Sequence, residues 1–246
     1  LALRLAKEGH FVSVHGRNEA KLKATVKEIK AESKNDNVLG FLADFSNLSD
    51  VKKEAKDVTE KMPKIDVLVN NAGIFKSKTD IATNGIDVRL TVNYLAPYQF
   101  TNEVLPLLNK SDAPRIVNLS SAAQSPVSLN ALKGEMSLGT NEAYAQSKLA
   151  LTMWSFDLAK KEPSILVVAV NPGSLLNTKM ANEAYGQHWS PAEKGVDILY
   201  DLSMTDKAKT NAYFDNDKGS YSKAHPDAYD DEKIKELLSL TKKLVK

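Results

Sequence analysis

The chain has 246 residues, 42% hydrophobic and 26% charged, with a formal net charge of +2 at pH 7 and no cysteine. That length suits one large α/β domain, the small charge argues against a nucleic-acid partner, and the missing cysteine excludes disulfides, thiolate catalysis and cysteine-held metal. The four histidines, His10, His15, His188 and His225, show no metal-ligand spacing, no apolar run approaches the roughly 20 residues of a bilayer span, and no signal peptide is visible, so the expected compartment is the cytoplasm.

The opening stretch, LALRLAKEGH, reads as the second half of an amphipathic helix, with Leu1, Leu3 and Leu5 close together and no N-cap signal ahead of them. An upstream segment is therefore expected. Gly9-His10 ends this helix, and FVSVH (11–15) reads as a β-branched strand. Leu22, Val26 and Ile29 recur at helical spacing within 18–34, with Asn18 as the N-cap. A short strand at 38–43 precedes a helix at 49–62 that starts on a Ser cap. A strand at 65–70 leads to a long helix over 84–109 that contains Pro97. Then come a strand at 115–120, a helix around 142–162 and a strand at 165–170. A helix at 191–203, a short strand near 212–214 and a terminal helix near 230–245 complete the chain.

Strands alternate with helices, and the strands are continuous apolar runs, as in a parallel sheet covered on both faces. No repeat or linker divides residues 1–246, so one domain is expected. In open parallel α/β sheets ligands bind beyond the carboxyl ends of the strands. Those ends carry His15-Gly16-Arg17, Asp44, Asn70-Asn71-Ala72-Gly73, Ser120-Ser121 and Asn171-Pro172-Gly173. Taken singly, the glycines read as turn residues, Asp44 as a helix cap and the serines as loop hydroxyls. Within the 142–162 helix, EAYAQSKLA places Tyr144 and Lys148 four residues apart, on one helix face. Two readings of that pair stand: a core tyrosine with a lysine passing over it, or a phenol whose pKa a neighbouring cation lowers.

The motifs NNAG (70–73), IVNLSS (116–121), YAQSK (144–148) and NPG (171–173), in that order, resemble the short-chain dehydrogenase/reductase superfamily over all but the start of the chain. The long Ser121-to-Tyr144 spacing is similar to that of retinol-dehydrogenase-like and carbonyl-reductase-like members. The resemblance implies a doubly wound, Rossmann-like sheet that binds a nicotinamide dinucleotide. It also implies that a first strand and a glycine-rich phosphate loop lie upstream of Leu1. It makes Tyr144 the general acid of carbonyl reduction or the base of alcohol oxidation, with Lys148 lowering its pKa and bonding the nicotinamide ribose. Ser121 would hold the substrate oxygen, and Asn93 a water that links Lys148 to solvent.

A hydride delivered to a carbonyl leaves an alkoxide-like oxygen, which needs hydrogen-bond donors and a proton. A free tyrosine has a pKa of about 10, so a nearby cation is required. The cofactor-side residues implied are Arg17, Asp44, Asn70, Ala72, Gly73, Tyr144, Lys148, Pro172, Gly173 and Thr178. Gly16-Arg17 follows the first strand with no acid before Glu19, which favours NADP(H), with NAD(H) possible. Arg17 reads alternatively as the partner of a surface carboxylate. Thr178 lies one residue further from Pro-Gly than the family spacing, so it is either the nicotinamide-amide ligand or a cap. Tyr185, His188 and Trp189 suggest an aromatic-lined substrate site or simply pack a lid. The expected substrate is a small carbonyl or alcohol, no membrane or metal is called for, and the chain is a monomer or a homo-oligomer. The alternative function is a dinucleotide-binding member with a non-redox or regulatory role.

Overall fold

Strands form where the sequence runs apolar and β-branched, and helices where apolar residues recur at helical spacing. In the computed structural model, which describes residues 1–178, 180–182, 186 and 190–245, the first half runs α1 (Ala2–Lys7), β1 (Val12–Gly16), α2 (Glu19–Ser33), β2 (Val38–Leu42), α3 (Leu48–Lys61) and β3 (Val67–Asn70). A short α4 (Val88–Leu90), a π-helical turn (Thr91–Leu95) and α5 (Ala96–Leu108) follow without a break. Next come β4 (Arg115–Leu119), α6 (Leu129–Leu132), α7 (Thr140–Lys161) and β5 (Leu166–Asn171). The chain ends in α8 (Ala192–Met204), β6 (Ala212–Asp215), β7 (Ser220–Ser222), a 3-10 turn (Pro226–Tyr229) and α9 (Asp231–Leu244).

The strands lie in two hydrogen-bonded groups. β1 and β2 pair in parallel, and β3-β4-β5-β6-β7 form a five-stranded sheet that is parallel except for the antiparallel β7. β1 and β3 each keep one edge without a ladder partner among the described residues. Right-handed parallel crossovers require helices on the sheet faces, and the burial pattern shows both faces covered. On β4 and β5, Ile116, Val167 and Ala169 turn into the larger core with α5, α7 and α9, while Val117, Val168 and Val170 face α8 through Ile198, Leu199 and Leu202. All six strand residues are fully buried. A smaller cluster seats α1 and α2 on β1 and β2 through Ala6, Val12, Ile29 and Val38.

The long helix expected over 84–109 starts later, at Val88, where Asp87 caps it by accepting from the Arg89 N–H at 2.8 Å. Its regular ladder is interrupted by the π turn at Thr91–Leu95. Pro97, which has no N–H, falls in the first turn of α5 just after that irregularity. The stretch between Ser121 and Tyr144 is ordered: Leu132 and Ala131 of α6 are buried, and Gln146 on α7 accepts from the Ser128 N–H at 2.9 Å.

Ile116 fills a fully buried position, whereas Leu42 is 49% exposed. Ile116→Ala is expected to cost about 2–5 kcal/mol and Leu42→Ala less than about 0.5 kcal/mol, read as shifts in the urea midpoint.

Candidate active site

Helix α7 is capped at Gly139 and runs for 22 residues, long enough to carry a reactive pair at its start and core residues after it. Tyr144 is half-buried near its N-terminus, and its ring meets Phe75 edge-on at 5.0 Å. Lys148, one turn on, is only 5% exposed. Its Nζ donates to the Leu119 carbonyl at the end of β4 (2.7 Å) and lies 5.6 Å from the Tyr144 ring centroid. Among the described residues no carboxylate pairs with it. Burial disfavours the charged form and lowers the Lys148 pKa to about 8.

Asn93 sits inside the π turn, a distortion that often marks functional positions. Its side chain is fully committed: Oδ1 accepts from the Ile74 N–H (2.8 Å), and Nδ2 donates to the Ile74 carbonyl and to Ser147 Oγ (both 3.0 Å). The loop after β3 is thereby tied to α7. Gly73 lies in that loop, and a Cβ there would stand 3.4 Å from Asn93 Oδ1 and 3.6 Å from Lys148 Nζ. A larger side chain would occupy the space beside the ammonium.

The two serines after β4 divide their work. Ser120 is 3% exposed, and its hydroxyl pairs with Thr152 Oγ1 at 2.7 Å. Ser121 is half-buried, and its Oγ accepts from the Ala123 N–H at 3.1 Å, which leaves its O–H proton to donate. Tyr144, Lys148, Asn93 and Gly73 are therefore neighbours, and Ser121 sits two residues after the carbonyl that holds Lys148.

The remaining candidates lie at the strand ends in different states. Arg17 is exposed and makes no hydrogen bond or ion pair among the described residues. Asp44 accepts from the Ser46 N–H (2.9 Å) and Ser46 Oγ (2.8 Å), so its carboxylate closes a turn. Sequence reasoning missed one pair: His15 Nδ1 is 3.0 and 2.9 Å from the two carboxylate oxygens of buried Glu54, and its ring packs on Phe45 at 4.1 Å. Asn70 turns into the sheet, donating to Asn118 Oδ1 (2.7 Å) and Thr101 Oγ1 (3.0 Å). Ala72 packs against the core. The Pro172 carbonyl accepts from Asn216 (2.8 Å), and Gly173 has φ +125°. Thr178 Oγ1 accepts from the Ala181 N–H at 3.3 Å, the geometry of a cap. Tyr185, His188 and Trp189 lie outside the described residues. A groove of about 670 Å³ between α2 and β2, over Leu22, Val26 and Gly40, contains none of the candidates. Among the described residues no cluster of potential metal ligands occurs, and no helix is long and apolar enough to cross a membrane.

The model of the short chain dehydrogenase family matches residues 1–188. The chain belongs to that family. This short-chain dehydrogenase is 32% identical to retinol dehydrogenase 13 of Mus musculus over 177 residues, 70% of this chain and 53% of that protein. It is 30% identical to the polyprenol dehydrogenase of Homo sapiens over 194 residues, 75% of this chain and 58% of the other. It spans about half the length of the retinol dehydrogenases it matches. An uncharacterised oxidoreductase of Schizosaccharomyces pombe is 29% identical, with 99% of this chain and 80% of that protein covered. Among solved structures, a short-chain dehydrogenase of Shigella flexneri complexed with NADP superposes with a TM-score of 0.71 at 26% identity, covering 88% of this chain and 90% of its own. One from Escherichia coli complexed with NADPH gives 0.70 at 27%, covering 87% and 89%.

The buried ammonium predicts a particular pH dependence of stability. Its pKa is near 8 in the fold, against 10.5 for the free group, so the unfolded chain binds more protons between those values. Its cost is present in full below about pH 8 and fades as the pH rises toward 10.5. Lys148→Met is expected to raise the stability of the free protein by about 1–2 kcal/mol at pH 7, a gain that shrinks by pH 10, measured by denaturant unfolding at each pH.

Proposed function

We propose that this chain is an NADP-dependent oxidoreductase that transfers a hydride between nicotinamide and a small carbonyl or alcohol, with Tyr144 as the general acid or base. The observation that carries this reading is the Tyr144–Lys148 pair on α7, with the buried Lys148 ammonium fixed to the Leu119 carbonyl and bordered by Gly73 and Asn93. The residues present suit a dinucleotide. Gly73 keeps the space beside Lys148 clear of a side chain, and Arg17 stands exposed just after β1, unpaired among the described residues. The relatives solved with NADP and NADPH support the same choice.

When bound, the nicotinamide supplies or accepts the hydride. In the reducing direction Tyr144 donates its phenolic proton to the substrate oxygen as negative charge develops there. Lys148, largely protonated at pH 7 with a pKa of about 8, stabilises the phenolate that remains. Ser121 donates its O–H to the same oxygen. Asn93 holds the loop after β3 and the first turns of α7 in register, and would also hold a water that links Lys148 to solvent. Arg17 would fork onto a 2′-phosphate, Asp44 would face the adenine, and Asn70, Ala72 and Gly73 would line the adenosine ribose. Pro172, Gly173 and Thr178 would flank the nicotinamide. Thr178 would have to release its cap to bond the amide.

Tyr144→Phe is expected to lower kcat for NADPH-dependent carbonyl reduction by about 10²–10⁴-fold while leaving the NADPH Kd within about threefold. Undiminished turnover in that variant would remove Tyr144 from the role. Arg17→Glu is expected to reduce the preference for NADPH over NADH roughly 10–100-fold, read as the ratio of kcat/KM values. A full-length protein that binds neither dinucleotide in a fluorescence titration would overturn the reading itself.

A further inference from the structure

Two loops flank the candidate site, Ser120–Gln124 after β4 and Asn171–Ser174 after β5. Neither sequence motif says what holds one loop in place relative to the other. The contacts converge on a third segment, β6 and the turn that follows it.

Asn171 at the end of β5 pairs in register with Asp215 at the end of β6. Its Nδ2 donates to Asp215 Oδ1 and to Asp217 Oδ2, both at 2.9 Å, while its Oδ1 accepts from the Gly173 N–H at 3.3 Å. Asp217 then reaches over the loop. Its Oδ1 accepts from the Ser174 N–H (2.9 Å) and its Oδ2 from Ser174 Oγ (2.5 Å). Asn216 completes the grip, donating from Nδ2 to the Pro172 carbonyl (2.8 Å) and from its backbone N–H to the Asn171 carbonyl (3.0 Å). On β6 itself, Tyr213 donates to the Ser121 carbonyl at 3.0 Å, and Gln124 Nε2 donates to that carbonyl also at 3.0 Å.

A loop with a glycine at positive φ has backbone freedom that must be removed if it is to hold a ligand. Three donors from one loop to one carboxylate are a strong way to remove it. Burial pushes the Asp217 carboxyl up, but the Ser174 donors, the Asn171 amide and the Lys194 ammonium outweigh it and hold its pKa below the ordinary value. The group is therefore ionised, and accepts all three bonds, throughout the neutral range.

From this geometry we infer that Asp217 is a positioning residue for the nicotinamide-side loop 172–174, and that β6 and the turn after it, through Tyr213 and Asp217, set that loop in register with Ser121. The inference rests on the reading of the site as a nicotinamide-dependent one. Asp217 touches no reacting atom on this account. It acts through Ser174 and Asn171.

Asp217→Asn keeps the shape but replaces one acceptor oxygen with a donor that faces other donors. In the full-length protein this variant is expected to speed amide hydrogen exchange at residues 172–174 about tenfold. It is also expected to raise the KM for NADPH by about tenfold, with a much smaller change in kcat. Ser174→Ala, a milder change on an exposed loop, should give part of both effects. The double variant should match Asp217→Asn alone, because the Ser174 hydroxyl acts here only through Asp217. Tyr213→Phe should instead lower kcat with the NADPH KM unchanged. Unaltered exchange in Asp217→Asn, or faster exchange with an unaltered NADPH KM, would overturn the inference. So would effects of Asp217→Asn and Ser174→Ala that multiply. Should Asp217→Asn not fold, Ser174→Ala alone decides by the same two readouts. Exchange needs no cofactor, so faster exchange in a protein whose parent fails to bind NADPH would count against the oxidoreductase reading and not against the clamp.

Discussion

The Lys148 ammonium sits 5% exposed in the body of the fold with the Leu119 carbonyl as its hydrogen-bond acceptor and no carboxylate paired with it among the described residues. A charge in that position is disfavoured by desolvation, and the pKa near 8 records the penalty. The surrounding structure is arranged to hold it there. The Leu119 carbonyl is at the carboxyl end of β4, where the parallel ladder stops, and so is available to a side chain. Gly73 brings the loop after β3 close without crowding the ammonium. The π turn interrupts the regular helical ladder around Asn93, whose amide reaches across to Ile74 and Ser147. A helix, two strand ends and a distorted helical turn thus converge on one cation. A site that is unfavourable to the free protein and useful to a reaction is the pattern expected where stability and function compete.

Under the site lies a layer of buried polar side chains that bond to one another. Asn70 donates to Asn118, Asn118 to Ser155 Oγ, and Ser155 to the Leu151 carbonyl. Ser120 and Thr152 form a second link. The Asn118–Ser155 and Ser120–Thr152 bonds join β4 and its end to α7, so a shift of that helix would leave buried polar groups unpaired at a cost of about 1–3 kcal/mol each. Such satisfied networks favour one packing over its neighbours. They account for the precision with which Tyr144 and Lys148 are presented, since the hydrophobic contacts of α7 are non-directional.

Much of this was legible in the sequence because the signals were local or periodic. The continuous apolar runs RIVNL and LVVAV give strands buried on both faces, and the strand ends carry the candidate residues. The Tyr144–Lys148 spacing places both on one face of α7. What escaped was non-local or irregular. No spacing announces that His15 will meet Glu54, 39 residues away, or that Asp217 will close over Ser174, 43 residues away. The π turn leaves no mark in the apolar pattern of 84–109, because its residues are buried all round. Antiparallel β7 is three residues long, too short to show a period. The Thr178 hydroxyl accepts from the Ala181 N–H in the structure, three residues on.

A phenol made acidic by a buried cation is the working element proposed for the site, and the pH dependence of kcat/KM for NADPH-dependent carbonyl reduction by the full-length protein tests it most directly. The general acid must carry its proton in the free enzyme, so the rate should fall as the pH rises through the Tyr144 pKa. The account predicts that this fall has an apparent pKa well below the value of about 10 for an unperturbed tyrosine. A profile that stays flat to pH 10, or declines only above it, would contradict the pairing of Tyr144 with Lys148 as the working element of the site.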